Sequence, residues 1–280
     1  MSEVINKAWE KVKLARHPKR PTASYLIKAL FPDFIELHGD RQFSDDRAII
    51  GGIGTLNGIS MTVIAEEKGV STDEKIKHNF GMPHPEGYRK AIRLMKQAEK
   101  FKRPILSIID TPGAYPGIGA EERGQAQAIA YNLREMIGLK TPIIVVVLSE
   151  GGSGGALAIG VGDYVMMFEN SIYAILSPEG FASIIYKDAS KADHAASLMK
   201  LTAEDLKSFQ VIDHIIPEHQ GLHIEPDFGV SALRSEIIKM TKKLTQLSQT
   251  KLLDKRYQKY RKMGVFLEQG ENDEIKPSDD

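Results

Sequence analysis

Six residues mid-chain, Gly151-Gly152-Ser153-Gly154-Gly155-Ala156, have the types and spacing best suited to chemistry. They follow a continuous apolar run, Ile143 to Leu148, and open a small-residue stretch that reads as a short helix starting near Ala156. A strand, a glycine-rich turn and a helix start leave main-chain N–H groups without intrahelical acceptors. Glycines at such a bend let a ligand approach those amides closely and permit unusual φ values. The chemistry this favours is stabilisation of an oxygen that gains negative charge. The main-chain amides of this turn, among them those of Gly152, Ser153, Gly154 and Gly155, are the candidate donors and pocket residues. A second loop, Asp110 to Gly117, ends the apolar run Ile105 to Ile109 and supplies Gly113, Ala114 and Gly117 as a pocket wall, because ligands of open α/β sheets bind at strand ends.

Other motifs compete for these residues. No Lys follows the glycines, so a phosphate loop is excluded, and Leu157 stands where a dinucleotide fingerprint needs its third glycine. Gly151-Gly152-Ser153-Gly154-Gly155 does fit the nucleophile elbow GxSxG, with Asp193-His194 or Asp213-His214 downstream as partners for a serine hydrolase. Asp110-Thr111-Pro112-Gly113 has the form of a GTPase DxxG turn but lacks a phosphate loop upstream. His78, His84 and Glu86 match no metal-ligand spacing, so no metal is expected. Met95-Lys96 and Met199-Lys200 have the Met-Lys of biotin attachment, yet both read as ordinary helix residues.

The elements around these residues follow from periodicity. Val4 to Ala15 reads as an amphipathic helix and Arg16 to Arg20 as a basic loop, either a solvated linker or a place where Lys19 and Arg20 meet a phosphate. Arg47 to Thr55 and Ile59 to Glu66 read as strands joined at Asn57-Gly58, whose turn requires positive φ at both residues. A helix is expected from Glu86 to Phe101, with Tyr88, Ile92, Met95 and Phe101 on its buried face, and another from Ala120 to Ile137. Glu121 and Glu122 then sit in a first turn, where the helix dipole favours carboxylates. Further strands are expected at Tyr164 to Met167 and Ser171 to Ile175, and a helix from Ser177-Pro178-Glu179. Apolar strands followed by glycine loops and helices indicate an α/β class with parallel strands. Leu233, Ile237, Met240, Leu244 and Leu247 line one face of a long C-terminal helix, read as 230–263, which either folds back on the domain or binds a partner. The domain reading is an N-terminal helix and basic loop over 1–20, one domain over 21–263, and an acidic disordered tail over 264–280.

Bulk properties exclude several classes. Lys plus Arg (37) equal Asp plus Glu (37), so no net field draws the chain to nucleic acid or an anionic membrane. The absence of cysteine removes disulfides, thiolate zinc sites and a cysteine nucleophile. No apolar run forms a signal peptide or spans a bilayer, so a soluble cytoplasmic protein is expected.

Three segments together carry a resemblance: NFGMPHPEGYRK over 79–90, DTPGAYPGIGAEERG over 110–124 and EGGSGGALAIG over 150–160. They resemble the carboxyltransferase alpha subunit of bacterial acetyl-CoA carboxylase, with a likeness extending from about Leu14 to Phe266. The resemblance implies a crotonase-like (ClpP/crotonase) fold of repeated ββα units. It implies pairing with a zinc-containing beta subunit as α2β2, and transfer of a carboxyl group from carboxybiotin, borne by a separate biotin carboxyl carrier protein, to acetyl-CoA. The product would be malonyl-CoA for fatty-acid synthesis, with ATP used by a separate biotin carboxylase. It also implies that the amides of Gly154 and Gly155 hold the biotin carbonyl oxygen and that the beta subunit serves the thioester oxygen. Relatives often carry a longer helical N-terminal extension than the residues before Arg16. Two further readings stand beside it: a stand-alone crotonase-type acyl-CoA hydratase or decarboxylase, and a scaffold that binds partners through Leu233 to Leu247.

Overall fold

The apolar runs pair side by side in one sheet, and that pairing decides where the loops meet. A computed structural model describes residues 6–266 together with 276 and 277. The main sheet has eight strands: β1 (Ile35–Glu36), β2 (Ile49–Leu56), β3 (Ile59–Glu66), β4 (Ile105–Thr111), β5 (Ile143–Gly152), β6 (Tyr164–Phe168), β7 (Ile172–Ala174) and β8 (His214–Ile216). The first half of the chain forms helices α1 (Lys7–Ala15), α2 (Ala23–Leu30), α3 (Thr72–Lys77), α4 (Pro85–Lys100), α5 (Ile118–Glu122) and α6 (Gln125–Gly138). The second half adds α7 (Ser153–Leu157), α8 (Pro178–Tyr186), α9 (Ala192–Leu198), α10 (Ala203–Ser208), α11 (Pro226–Thr245) and α12 (Gln249–Arg261).

Strand order is β1-β2-β3-β4-β5-β6-β8, with β7 paired to the far end of β5. The β2–β3 pair is an antiparallel hairpin whose Asn57 and Gly58 take φ of 51° and 76°, as the turn requires. From β3 onward the pairs are parallel, with Ile105 to Ile109 registered on Ile143 to Val147. Parallel neighbours emerge at the same edge, so the loop after β4 and the glycine turn after β5 lie side by side. A register shift between Ile109 and Thr111 brings Thr111 opposite Gly151. β4 and most of β5 are buried on both faces, between one apolar layer that includes α2 and α11 and another that includes α4 and α6.

The long C-terminal segment folds back on its own domain. Leu233, Ile237, Met240 and Leu244 are buried in the core with α2 and the sheet, leaving no free stripe for a scaffold. The span read as one helix over 230–263 divides at residues 246–248, where Ser248 caps α12 through its hydroxyl. The helix expected over Ala120 to Ile137 also divides, because Gly124 takes φ of 82° between α5 and α6. That leaves Glu121 and Glu122 on the short helix α5. On α4, Tyr88, Ile92 and Met95 are buried as expected, but Phe101 caps the helix and is 57% exposed. Lys96 is helical, whereas Lys200 sits in a turn after α9 with φ of 53°. The acidic tail, 264–280, lies largely outside the described residues.

The basic loop is neither a solvated linker nor, at Arg20, a phosphate contact. Arg20 is buried and grips Glu218 with two hydrogen bonds, Nη1 to Oε2 at 2.8 Å and Nη2 to Oε1 at 2.6 Å. Its Nη2 also donates to the Leu148 carbonyl at 2.7 Å. Glu218 takes further bonds from the main chain of Asn170 and Leu222. At the other end of the chain, Arg256 of α12 is fully buried and reaches Asp163 at 2.7 Å and the Leu139 carbonyl at 2.7 Å. Removing one member of a buried pair strands the other charge. Arg20→Met should therefore lower stability by about 3–5 kcal/mol, and Arg20→Met with Glu218→Gln should recover part of that, both read from urea midpoints.

Candidate active site

β5 runs on to Gly152, and α7 begins at Ser153, which takes φ of 50°. The short helix puts the amides of Gly154 and Gly155 in its first turn, where no intrahelical acceptor exists. Among the described residues no side chain caps them, and neither donates to a loop carbonyl. Gly155 is buried against the second loop: a Cβ there would lie 2.5 Å from the Ala114 amide nitrogen and 2.6 Å from the Gly113 carbonyl carbon. A Cβ on Gly152 would strike the Pro112 carbonyl. At Gly154, by contrast, a Cβ would meet only the Ile129 side chain, at an ordinary 3.7 Å.

Four of the seven expected site residues, Gly152, Gly155, Gly113 and Ala114, thus gather where the two loops touch, with Gly154 beside Ile129 of α6 and Ser153 at the tip of the bend. Gly113 supplies shape and not a donor, because its amide bonds Thr111 Oγ1 at 3.0 Å. Gly117 stands apart: it opens α5, and its carbonyl accepts the Ala120 and Glu121 amides. The strained bend at Ser153 has the shape of a nucleophile elbow, but the described hydrogen bonds join its hydroxyl to no histidine. His194 packs on Tyr186, and Asp213 pairs with Lys259. That removes the relay a serine hydrolase requires. His78 bonds the Arg47 carbonyl, His84 packs on Tyr115, and Glu86 pairs with Arg123.

Beneath the loops lies a charged chain that the glycine pattern does not announce. Lys68, just past β3, bridges Asp110 on β4 at 2.7 Å and Glu150 on β5 at 2.8 Å. The other Glu150 oxygen takes Arg16 Nε at 2.7 Å, and Arg16 continues to Glu179 on α8 at 2.7 Å. The Asp110 carboxylate also accepts the Glu150 amide, at 3.3 Å. Burial alone would raise Glu150, yet Lys68 and Arg16 outweigh it and hold the carboxyl at about 2. Burial likewise works against charged Lys68, but Asp110 and Glu150 overcome it and raise the ammonium, which therefore stays protonated. Beside them Glu66 is fully buried; one oxygen accepts the Asp110 amide at 3.1 Å and the other has no partner. Burial, with the Asp110 charge adding to it, pushes Glu66 far above the carboxylate range. The signal present in the sequence was positional: Asp110 and Glu150 each follow an apolar strand within two residues, where a carboxylate has no reason to stand unless something pairs with it.

Comparison with known proteins shows the family and the fold of the chain. A family model described as acetyl co-enzyme A carboxylase carboxyltransferase-like matches residues 4–264. The chain belongs to this family. A curated relative from Clostridium perfringens (strain ATCC 13124), named acetyl-coenzyme A carboxylase carboxyl transferase subunit alpha, is 60% identical over 255 residues, 91% of this chain and 94% of its own. A protein of the same name from Clostridium botulinum (strain Alaska E43) is 55% identical over 266 residues, 95% of this chain and 97% of its own. Among solved structures, transcarboxylase 12S superposes with a TM-score of 0.65 at 16% identity, over 96% of this chain and 47% of that longer one. A Pseudomonas malonate decarboxylase hetero-tetramer bound to coenzyme A gives 0.64 at 16%, over 82% of this chain and 90% of that one. The carboxyltransferase fold is crotonase-like: an α/β sheet of mostly parallel strands with a C-terminal helix.

The buried neutral carboxyl has a measurable consequence. In the unfolded chain Glu66 ionises near its ordinary value, whereas in the folded chain it holds its proton to much higher pH. The unfolded state therefore gains by ionising first, and stability falls as pH rises above about 4.3. Glu66→Gln, which keeps an acceptor for the Asp110 amide and has no proton to lose, should raise the melting temperature at pH 8. The gain should shrink toward pH 4.5 in paired thermal scans.

Proposed function

We propose that this chain is the alpha half of a carboxyltransferase that moves a carboxyl group from carboxybiotin to acetyl-CoA, giving malonyl-CoA. Family membership makes the chain a carboxyltransferase subunit; the pair of unpartnered amides at Gly154 and Gly155 is the observation that carries the finer reading. When bound, carboxybiotin would supply the carboxyl group, leaving charge on its ureido oxygen and a ureido nitrogen able to accept a proton from the acetyl methyl group. Gly154 and Gly155 donate their N–H groups to that oxygen as its charge grows. Donors fixed by a helix turn need no reorganisation at that moment, and each such donor is worth about 2.7–4 kcal/mol of transition-state stabilisation. No side chain of this chain has to act as a base, which accords with the absence of a histidine relay at Ser153. The methyl carbon then attacks the released carbon dioxide and forms the new C–C bond.

The reading assigns the thioester oxygen to a beta subunit, which carries the family's zinc, in an α2β2 assembly. The biotin stays on its carrier protein, and ATP is consumed by a separate biotin carboxylase. Exposed apolar residues on α7, past β7 and on α8 support such a partner. Leu157 lies on α7, Ile175 just past β7, and Ile184 and Ile185 on α8, all well exposed, with Ile175 at 79%. Large exposed aliphatics favour a protein interface where they form a contiguous patch. Gly152, Ser153, Ala114 and Gly113 form the wall that receives substrate in this scheme, and Gly117 lies at its margin. Among the described residues no helix is long and apolar enough to cross a membrane, and a cytoplasmic location belongs to the proposal. The stand-alone hydratase or decarboxylase is disfavoured by relatives named as one subunit of a carboxyl transferase over nearly their whole length.

Purified alone, the chain should turn over no carboxybiotin; mixed with its beta subunit it should make malonyl-CoA in a coupled assay. Malonyl-CoA formation by the lone chain would overturn the assignment. Gly155→Ala, which forces the two loops apart, should cut transfer at least 100-fold, whereas Gly154→Ala should fold normally and cost less, since its Cβ finds room beside Ile129.

A further inference from the structure

A groove of about 540 Å³ lies across α6 from the glycine turn, walled by α4, α6 and the turn around Asp40. That volume is in the range of small-ligand sites, roughly 300–1,000 Å³. Four cations line it, Arg41, Arg89, Arg93 and Lys96, against one carboxylate, Asp40. Arg89, Arg93 and Lys96 follow one another at spacings of four and three along α4, so they share one face of the helix. Like charges so placed oppose the helix by a few tenths of a kcal/mol per pair, a cost that a helix face normally avoids.

Carboxylates answer only half of these charges. Arg89 pairs with Asp40 at 2.8 Å, and Lys96 with Glu135 at 2.8 Å. Arg41 and Arg93 make no ion pair among the described residues; both bond main-chain carbonyls instead. Arg93 Nε reaches the Gly39 carbonyl at 3.0 Å, Arg93 Nη2 the His38 carbonyl at 3.2 Å, and Arg41 Nη1 that same carbonyl at 2.9 Å. Each guanidinium carries five N–H donors, so most of both forks are unspent. The Asp40 carboxylate caps the amides of Gln42, Phe43 and Ser44 at 2.9, 2.8 and 3.1 Å, and Arg41 takes the left-handed φ of 68° that side chains seldom adopt. Burial, with the Arg41 charge next, lowers Arg93, and the charges of Asp45 and Asp40 offset only part of that.

We infer that this groove is an anion site in which Arg41 and Arg93 together hold a phosphate-bearing small molecule. Two planar forks converging on one carbonyl pair suit the tetrahedral oxygens of a phosphate or pyrophosphate group, which accept paired N–H donors. Arg89 and Lys96 flank the site already neutralised and supply field and not grip. The site is separate from the Gly154 and Gly155 amides, and its occupant does not depend on the carboxyltransferase reading.

Calorimetric titration of the full chain with sodium pyrophosphate tests this. Saturable one-to-one binding is expected, weakened at least tenfold by Arg41→Gln and by Arg93→Gln, with Arg93→Lys retaining part of it. Because Arg93 also braces the 38–39 carbonyls, Arg41→Gln, on the exposed side chain, is the variant that decides if Arg93→Gln fails to fold. Titration with adenosine diphosphate separates the sources: tighter binding than pyrophosphate points to a nucleotide-borne phosphate, equal binding to a free anion, and either upholds the site. No saturation, or unchanged affinity in Arg41→Gln, overturns it. So does loss of binding when the beta subunit is added, which would make the groove a protein interface.

Discussion

The structure turns on a contact between two backbones with nothing between them. The loop after β4 and the turn after β5 meet at Gly113, Ala114 and Pro112 on one side and Gly152 and Gly155 on the other, close enough that a single methyl group would collide. Parallel pairing puts both loops at one edge, and the register shift after Ile109 brings them level. Once they touch, the start of α7 is fixed in direction, and the amides of its first turn have no acceptor among the described residues. A donor pair of this kind gains its strength from being held before the charge arrives.

Holding it falls to charged groups that never meet the substrate in this account. Lys68 spans the ends of β4 and β5, Arg16 ties Glu150 to α8, and neutral Glu66 supports the Asp110 amide from below. The contacts of Asp110 and Glu66 are largely out of water, whereas the Arg16 pairs are partly exposed. Loss of a partner is costly where the group is buried. The mainly apolar sheet supplies rigidity along the strands, and the ion pairs supply it across them at the one edge where hydrogen-bonded pairing runs out.

Much of this was legible beforehand, and the omissions share a cause. Continuous apolar runs at Ile105 to Ile109 and Ile143 to Leu148 located the central strands, Asn57-Gly58 located the hairpin, and the glycine string located the turn. Those signals are local: each depends on a few neighbouring residues. The breaks at Gly124 and Ser248 were misjudged because hydrophobic spacing carries across a single capped interruption. Arg20, Arg256, Lys68 and Glu66 were invisible as buried groups, since a charge in sequence looks solvated until its partner, 198 residues away for Arg20, is folded against it. Phe101 erred the other way, an apolar residue on the expected stripe that falls one position past the helix.

The two buried arginines near the chain ends make closure of the sheet depend on remote parts of the chain. Arg20 waits for Glu218, and Asp163 with the carbonyls at the mouth of β5 waits for Arg256. Neither charge is compensated within its own stretch of chain, so each flank of the sheet closes only when distant segments meet, and a fragment that lacks one partner leaves the other charge buried and unpaired.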